Sequence, residues 1–168
     1  MADVVSPEKR SRMMAGIRGK DTKPELIVRH GLHARGFRYR LHAKNLPGKP
    51  DIVFPKYRAV IFVHGCFWHG HDCHLFKWPK SREEFWRKKI EANRLNDAIT
   101  VERIRDAGWR VLVIWECLLK GRLRLETADA IEEVARWLSG DEVAGVLSCH
   151  SREANASRAS RDYLPPPA

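Results

Sequence analysis

Cys66-Phe67-Trp68-His69-Gly70-His71-Asp72-Cys73-His74 places two thiols and three imidazoles within nine residues, and a further thiol, Cys117, follows a distant apolar segment. Zinc in structural sites takes four thiolate or imidazole ligands at tetrahedral positions. Two cysteines and one histidine of this loop, completed by Cys117, meet that need. Spacing leaves open which imidazole binds. A metal closed by four protein ligands has no position for a reacting water, so the remaining histidines are free for proton transfer. His64 and His69 are the candidates, because an unperturbed imidazole titrates near neutral pH. Four of the eight histidines fall between positions 64 and 74, a density that favours a built site over incidental side chains.

Asp51 ends the segment Leu46-Pro47-Gly48-Lys49-Pro50-Asp51. A carboxylate at the start of a strand is a ready ligand for magnesium, a hard cation that prefers oxygen. Many nucleases of the restriction-endonuclease fold place such an aspartate ahead of an acidic residue and a lysine on the next strand. Here that strand offers Ile61-Phe62-Val63-His64 and neither residue. Metal binding would then lean on Asp51, a main-chain carbonyl and a substrate phosphate, with imidazoles in place of lysine.

These groups need a scaffold. The chain of 168 residues suits one domain with a real core. Ser6-Pro7-Glu8 reads as the capped start of a short basic helix running to about Gly16. Thr22-Lys23-Pro24-Glu25 reads as a capping box opening a second helix, closed by Gly36. Alternation from Phe37 to Leu41 predicts a strand, and Pro50 to Phe54 with Arg58 to His64 predict a hairpin about Pro55-Lys56-Tyr57. Positions 65–80 lack either period and read as a loop. A long helix is expected from Ser81, boxed with Glu84, to about Ala107, with Phe85, Ala92, Leu95 and Ile99 as its core stripe. Trp109 to Trp115 then reads as a buried strand and Thr127 to Leu138 as an amphipathic helix. After Gly140 the periodicity fades. The expectation is an α/β domain over 1–140, a mixed central sheet flanked by helices, and a flexible tail over 141–168 that includes Cys149.

Lysine and arginine outnumber acids by 31 to 21, for a net +10, and residues 1–49 hold twelve of these bases against four acids, or +8. Such a stretch suits a polyanion, most simply nucleic acid, although a solvated basic surface would have the same composition. No apolar run approaches the roughly 18 residues of a membrane span, and MADVVSPEKRSR lacks a signal peptide's apolar core. A cytoplasmic protein is expected, in which four cysteines serve metal binding rather than disulfides.

Three segments together resemble the very-short-patch repair (Vsr) endonucleases, bacterial enzymes that nick DNA at thymine–guanine mismatches left by deamination of 5-methylcytosine. They are Leu46 to Asp51, Val60 to His69 with His71 and Cys73, and Gly108 to Cys117, within a likeness running from about Ser11 to Gly140. The resemblance implies a restriction-endonuclease-like fold, structural zinc on Cys66, His71, Cys73 and Cys117, and catalytic magnesium on Asp51 and the carbonyl oxygen of Val63. Valine stands there where threonine is familiar in the family, an exchange that a main-chain ligand survives. His69 would be the general base and His64 would assist at the phosphate. Glu25 would hold a water of the metal, and Asp97 would orient a histidine. Phe67, Trp68 and Trp86 would insert beside the mismatch from the major groove. Lys89 and Asn93, on one helical stripe with Trp86 and Asp97, could read the mismatch edges, and Met14 could wedge from the minor groove. The implied substrate is double-stranded DNA with a T:G mismatch, bound by a monomer and nicked 5′ to the thymine. A functional link to a cytosine-5 methyltransferase and contacts with mismatch-repair proteins go with it. The alternatives are a zinc-stabilised, non-catalytic DNA-binding protein and a restriction nuclease on the same scaffold.

Overall fold

A computed structural model describes residues 6–17 and 19–151. Helix α1 (Pro7–Ala15) starts as expected, the Ser6 hydroxyl accepting the Lys9 N–H at 3.3 Å. Helix α2 (Lys23–Ala34) is capped differently from the expected box. The Thr22 hydroxyl donates to Glu25 Oε1, and the Asp21 N–H, not that of Thr22, donates to Glu25 Oε2, both at 3.0 Å. Buried Arg29, at 2.8 Å from the same carboxylate, holds Glu25 inward and bridges it to Asp21.

Five strands form one sheet in chain order: β1 (Arg40–Leu41), β2 (Ile52–Phe54), β3 (Ala59–His64), β4 (Arg110–Trp115) and β5 (Ala144–Leu147). The first three run antiparallel, whereas β3, β4 and β5 are mutually parallel. Parallel neighbours need crossovers, supplied by α3 (Glu83–Asp106) and α4 (Thr127–Ser139). Both faces of β3 and β4 are covered, which explains their unbroken apolar runs. Ile52, Ile61, Leu112 and Ile114 face Val28 and Leu32 of α2 and Ile131 and Val134 of α4. Val53, Val60, Phe62, Val111 and Val113 face the opposite way, toward Ile104 of α3. The fold is a mixed α/β sheet between helices, as expected.

Several local expectations fail. Strand pairing takes up only Arg40 and Leu41, while Phe37 and Tyr39 pack edge-on against Phe54. Helix α3 starts at Glu83, because Arg82 adopts left-handed backbone (φ 53) and no box forms with Ser81. Glu84 pairs instead with Lys88. The core stripe of α3 is also misplaced. Phe85, Leu95 and Ile99 are 44, 59 and 37% exposed, whereas Ile90 and Ile104 are buried and Asn93, Asp97 and Val101 partly so. The inward row lies roughly 150° around the helix from the apolar row. Asn93 and Asp97 find hydrogen-bond partners on the inner side, and Ile90 and Ile104 secure the two ends of that face. Finally, the sheet continues past Gly140: β5 pairs with β4, and Cys149 is buried, its N–H donating to Cys117 Sγ at 3.4 Å. The period-based boundary missed β5 because a strand of four residues carries little pattern. Of the expected tail, 152–168 lies outside the described residues.

Candidate active site and metal centre

The parallel register pairs His64 with Trp115 at the C-terminal ends of β3 and β4. Cys66 and Cys117 each follow two residues later, so the register itself sets the two thiols side by side. The loop from Gly65 then turns back, the His71 N–H donating to the Cys66 carbonyl at 3.0 Å. Gly70, at φ +63, lets this turn lie directly on α3. In consequence the ligand atoms of Cys66, His71, Cys73 and Cys117 all lie within 4.8 Å of one another. His71 faces the thiols with Nδ1, 3.5 Å from Cys117 Sγ and 3.8 Å from Cys66 Sγ. Its ring stacks on Trp115 at 4.3 Å. The Cys66 thiol and burial push the Cys117 thiol well up, and burial raises that of Cys73. Crowded, buried thiols with one imidazole form a set that a borderline-soft cation would stabilise as thiolates, so the residues fit structural zinc. His74, which spacing alone allowed as a ligand, is outside this group.

A cavity of about 590 Å³ opens beside this centre, lined by Glu25, Asp51, Val63, His64, His69 and Asp97 among others. Asp51 immediately precedes β2, and antiparallel pairing with β3 brings the Val63 N–H to its Oδ2 at 2.8 Å. No hydrogen bond among the described residues claims Asp51 Oδ1. Burial pushes the Asp51 carboxyl up to about 6, the Val63 hydrogen bond opposing that shift and nearby Glu25 adding to it. A desolvated carboxylate beside a second carboxylate, with one oxygen uncommitted, fits a hard divalent cation.

His69 Nδ1 lies 2.5 Å from Asp97 Oδ2, across from α3. The His64 ring stacks parallel to that of His69, with centroids 4.0 Å apart. Burial, then the neighbouring His69, lowers the His64 pKa well below its ordinary value, so His64 is neutral near pH 7. The five expected catalytic side chains, Asp51, Glu25, His64, His69 and Asp97, thus come together although they are spread over residues 25–97.

Phe67, Trp68 and Trp86 form a half-buried aromatic cluster at one end of α3, with centroids 5.2 to 5.9 Å apart. Lys89 Nζ sits 5.7 Å from the Trp68 ring and 5.8 Å from that of Trp86. Asn93 Nδ2 donates to the Trp68 carbonyl at 2.8 Å, so this amide braces the loop that carries the aromatics. Met14 is exposed on α1, and Ile17 just beyond that helix lines the cavity. Sequence reasoning missed three residues here. Arg29 anchors Glu25, Lys49 lines the cavity, and Glu116 both lines it and accepts the Cys66 N–H at 3.3 Å. The place of Glu116 between Trp115 and Cys117, in a segment that already carried the resemblance, was a usable signal.

Comparison with known proteins identifies the family. The DNA mismatch endonuclease Vsr family matches residues 2–75. The chain is 52% identical over 126 residues to the type II nicking enzyme V.XorIIP of Xanthomonas oryzae pv. oryzae, covering 75% of this chain and 93% of that protein. It is 43% identical over 141 residues to the DNA mismatch endonuclease Vsr of Escherichia coli, covering 84% and 90%. The type II nicking enzyme V.NmeAIP of Neisseria meningitidis is 46% identical over 122 residues, covering 73% and 87%. Identities of 52% and 43% over at least three quarters of this chain and nine tenths of each relative place this chain in the Vsr family of DNA mismatch endonucleases.

Proposed function

We propose that this protein is a magnesium-dependent endonuclease that nicks one DNA strand 5′ to the thymine of a T:G mismatch and so initiates very-short-patch repair. The observation that carries this reading is the meeting of Asp51 with the His69–Asp97 pair in one cavity beside the Phe67–Trp68–Trp86 cluster. A carboxylate only accepts, so Asp97 keeps the proton on His69 Nδ1 and leaves Nε2 to take one from the attacking water. Neutral His64 assists at the phosphate. Glu25, fixed by Arg29 and Thr22, orients solvent next to Asp51. Magnesium, held by Asp51 and the Val63 carbonyl, would offset charge that builds on the phosphate.

Mismatch selectivity follows from stacking energies. Unstacking a base step costs about a few kcal/mol and a stacked aromatic returns about 1–3 kcal/mol, so insertion succeeds where pairing is already weak. Phe67, Trp68 and Trp86 act as that wedge, Lys89 reads the mismatch edge, and Met14 enters from the minor groove. Asn93 serves through its hold on Trp68. The protein works as a monomer in the bacterial cytoplasm, in functional connection with a cytosine-5 methyltransferase and mismatch-repair proteins. Kinship to proteins named nicking enzymes favours a cut in one strand.

The test is nicking of labelled duplexes carrying each mismatch or none, in varied flanks, with and without magnesium, for the wild type and for Asp51→Ala and His69→Ala. Magnesium-dependent cutting at T:G alone is expected, with both variants binding the mismatch but losing turnover. Equal cutting of paired DNA would indicate a restriction nuclease on this scaffold. Mismatch binding without cleavage under any divalent cation would indicate a zinc-stabilised binding protein.

A further inference from the structure

Three donors converge on the cavity wall from three elements: His64 from the end of β3, His69 from the thiol-bearing loop and Asp97 from α3. One ligand atom of each lies within 4.8 Å of the others. We propose that His64, His69 and Asp97 form a second transition-metal site, separate from the thiol cluster and from Asp51, and that a cation of the zinc class bound there removes His69 from proton transfer. The inhibitory consequence rests on His69 being the general base; the binding site does not.

Distances support the site. In a tetrahedral zinc centre with metal–ligand bonds of about 2.0–2.2 Å, neighbouring donor atoms stand about 3.3 Å apart. Here His69 Nδ1 is 2.5 Å from Asp97 Oδ2 and His64 Nδ1 is 4.0 Å from the same oxygen, values that bracket that spacing. Opening one contact and closing the other by less than about 1 Å admits the cation. His64 is 7% exposed, and its Nδ1, on the side toward Asp97, has no hydrogen-bond partner. The two imidazoles lie stacked and parallel within 1°, so binding requires one ring to tilt until both in-plane lone pairs meet at one point. Imidazole with carboxylate prefers zinc, nickel or cobalt to magnesium, which separates this trio from the oxygen donors, Asp51 and the Val63 carbonyl, proposed for magnesium. Because the trio borders the cavity, a fourth position is open to water.

Cobalt is the probe, added without DNA to protein whose thiol cluster already holds zinc. A second equivalent should bind, with visible bands but no sulfur-to-cobalt charge transfer. Asp97→Asn and His69→Gln should each weaken it by at least about tenfold, a typical penalty for disturbing a metal's surroundings, while the first equivalent of zinc and the melting temperature hold. In nicking assays excess zinc should inhibit the wild type with a potency independent of magnesium concentration. Absence of a second equivalent, or its retention in both variants, would overturn the proposal. So would inhibition that recedes as magnesium rises, since that places zinc at Asp51. Should Asp97→Asn misfold, His69→Gln alone decides. The binding measurement needs no turnover, so a protein that cuts no mismatch would sink the proposed function and leave the cobalt result standing.

Discussion

Replacing Gly70 by alanine tests the seat of the whole thiol-bearing loop, because this glycine lies between His69 and His71 and rests on α3. Two costs arise. At φ +63 the backbone is left-handed, a conformation that costs an L-residue about 1–2 kcal/mol. The new Cβ would also lie 2.5 Å from Ile90 Cγ2, and Ile90, only 2% exposed, has little room to yield. Overpacking of this kind costs about 1–3 kcal/mol. The sum, about 2–5 kcal/mol, should lower the Tm by roughly 4–20 °C in a domain of this size. Gly36→Ala separates the two contributions. It has φ +90 but no atom within 4 Å of the added Cβ, so only the backbone cost of about 1–2 kcal/mol applies. Urea melts of the zinc-loaded proteins measure both, and adding Ile90→Ala to Gly70→Ala should give a loss smaller than the sum of the singles. Equal losses for the two glycine variants would remove the contact with Ile90. Wild-type stability in Gly70→Ala would mean that the loop does not sit on α3, and the placement of His69 opposite Asp97 would fall with it.

Three further outcomes are expected. Ile90→Ala should cost about 2–5 kcal/mol and Leu95→Ala under about 0.5 kcal/mol; equal losses on denaturation would restore the apolar stripe anticipated from sequence. Cys117→Ser should lower zinc content and Tm together, whereas Cys149→Ser should keep its zinc, its thiol being pushed up to about 12 chiefly by burial and lying outside the ligand group; stoichiometric zinc in the first or loss of zinc in the second would redraw the centre. Asp51, raised to about 6, stabilises the metal-free fold while protonated, and that contribution is lost as pH rises through this value. Asp51→Asn should therefore raise the metal-free Tm at about pH 8 and leave it unchanged at about pH 4; a gain that does not grow with pH would refute the burial of that charge.

Much of the site was legible because its chemistry is concentrated in short runs. Cys66 to Cys73 supplies three of the four clustered ligands, and Pro50-Asp51 sits at a hairpin whose turn residues are themselves a signal. Helix starts declared by proline were placed correctly, since proline at the first turn acts locally. The errors lay where local and tertiary preferences competed. Ser81 and Glu84 had the residues of a capping box, yet Arg82 turned left-handed and the helix began later. On α3 the apolar row Phe85–Leu95–Ile99 had the period of a core face, yet the polar row carrying Asn93 and Asp97 lies inward.

Residue types alone therefore determined which chemistries were available: thiols and imidazoles for a soft cation, a strand-leading carboxylate for a hard one, and bases with aromatics for nucleic acid. Only the tertiary structure decided which imidazole faces the thiols, that Cys117 stands beside Cys66, and that Asp97 reaches His69. Those choices depend on the register of two parallel strands and the rotation of one helix. Both are set by the total burial and hydrogen bonding of residues far apart in the chain, an energy that no local window of sequence contains.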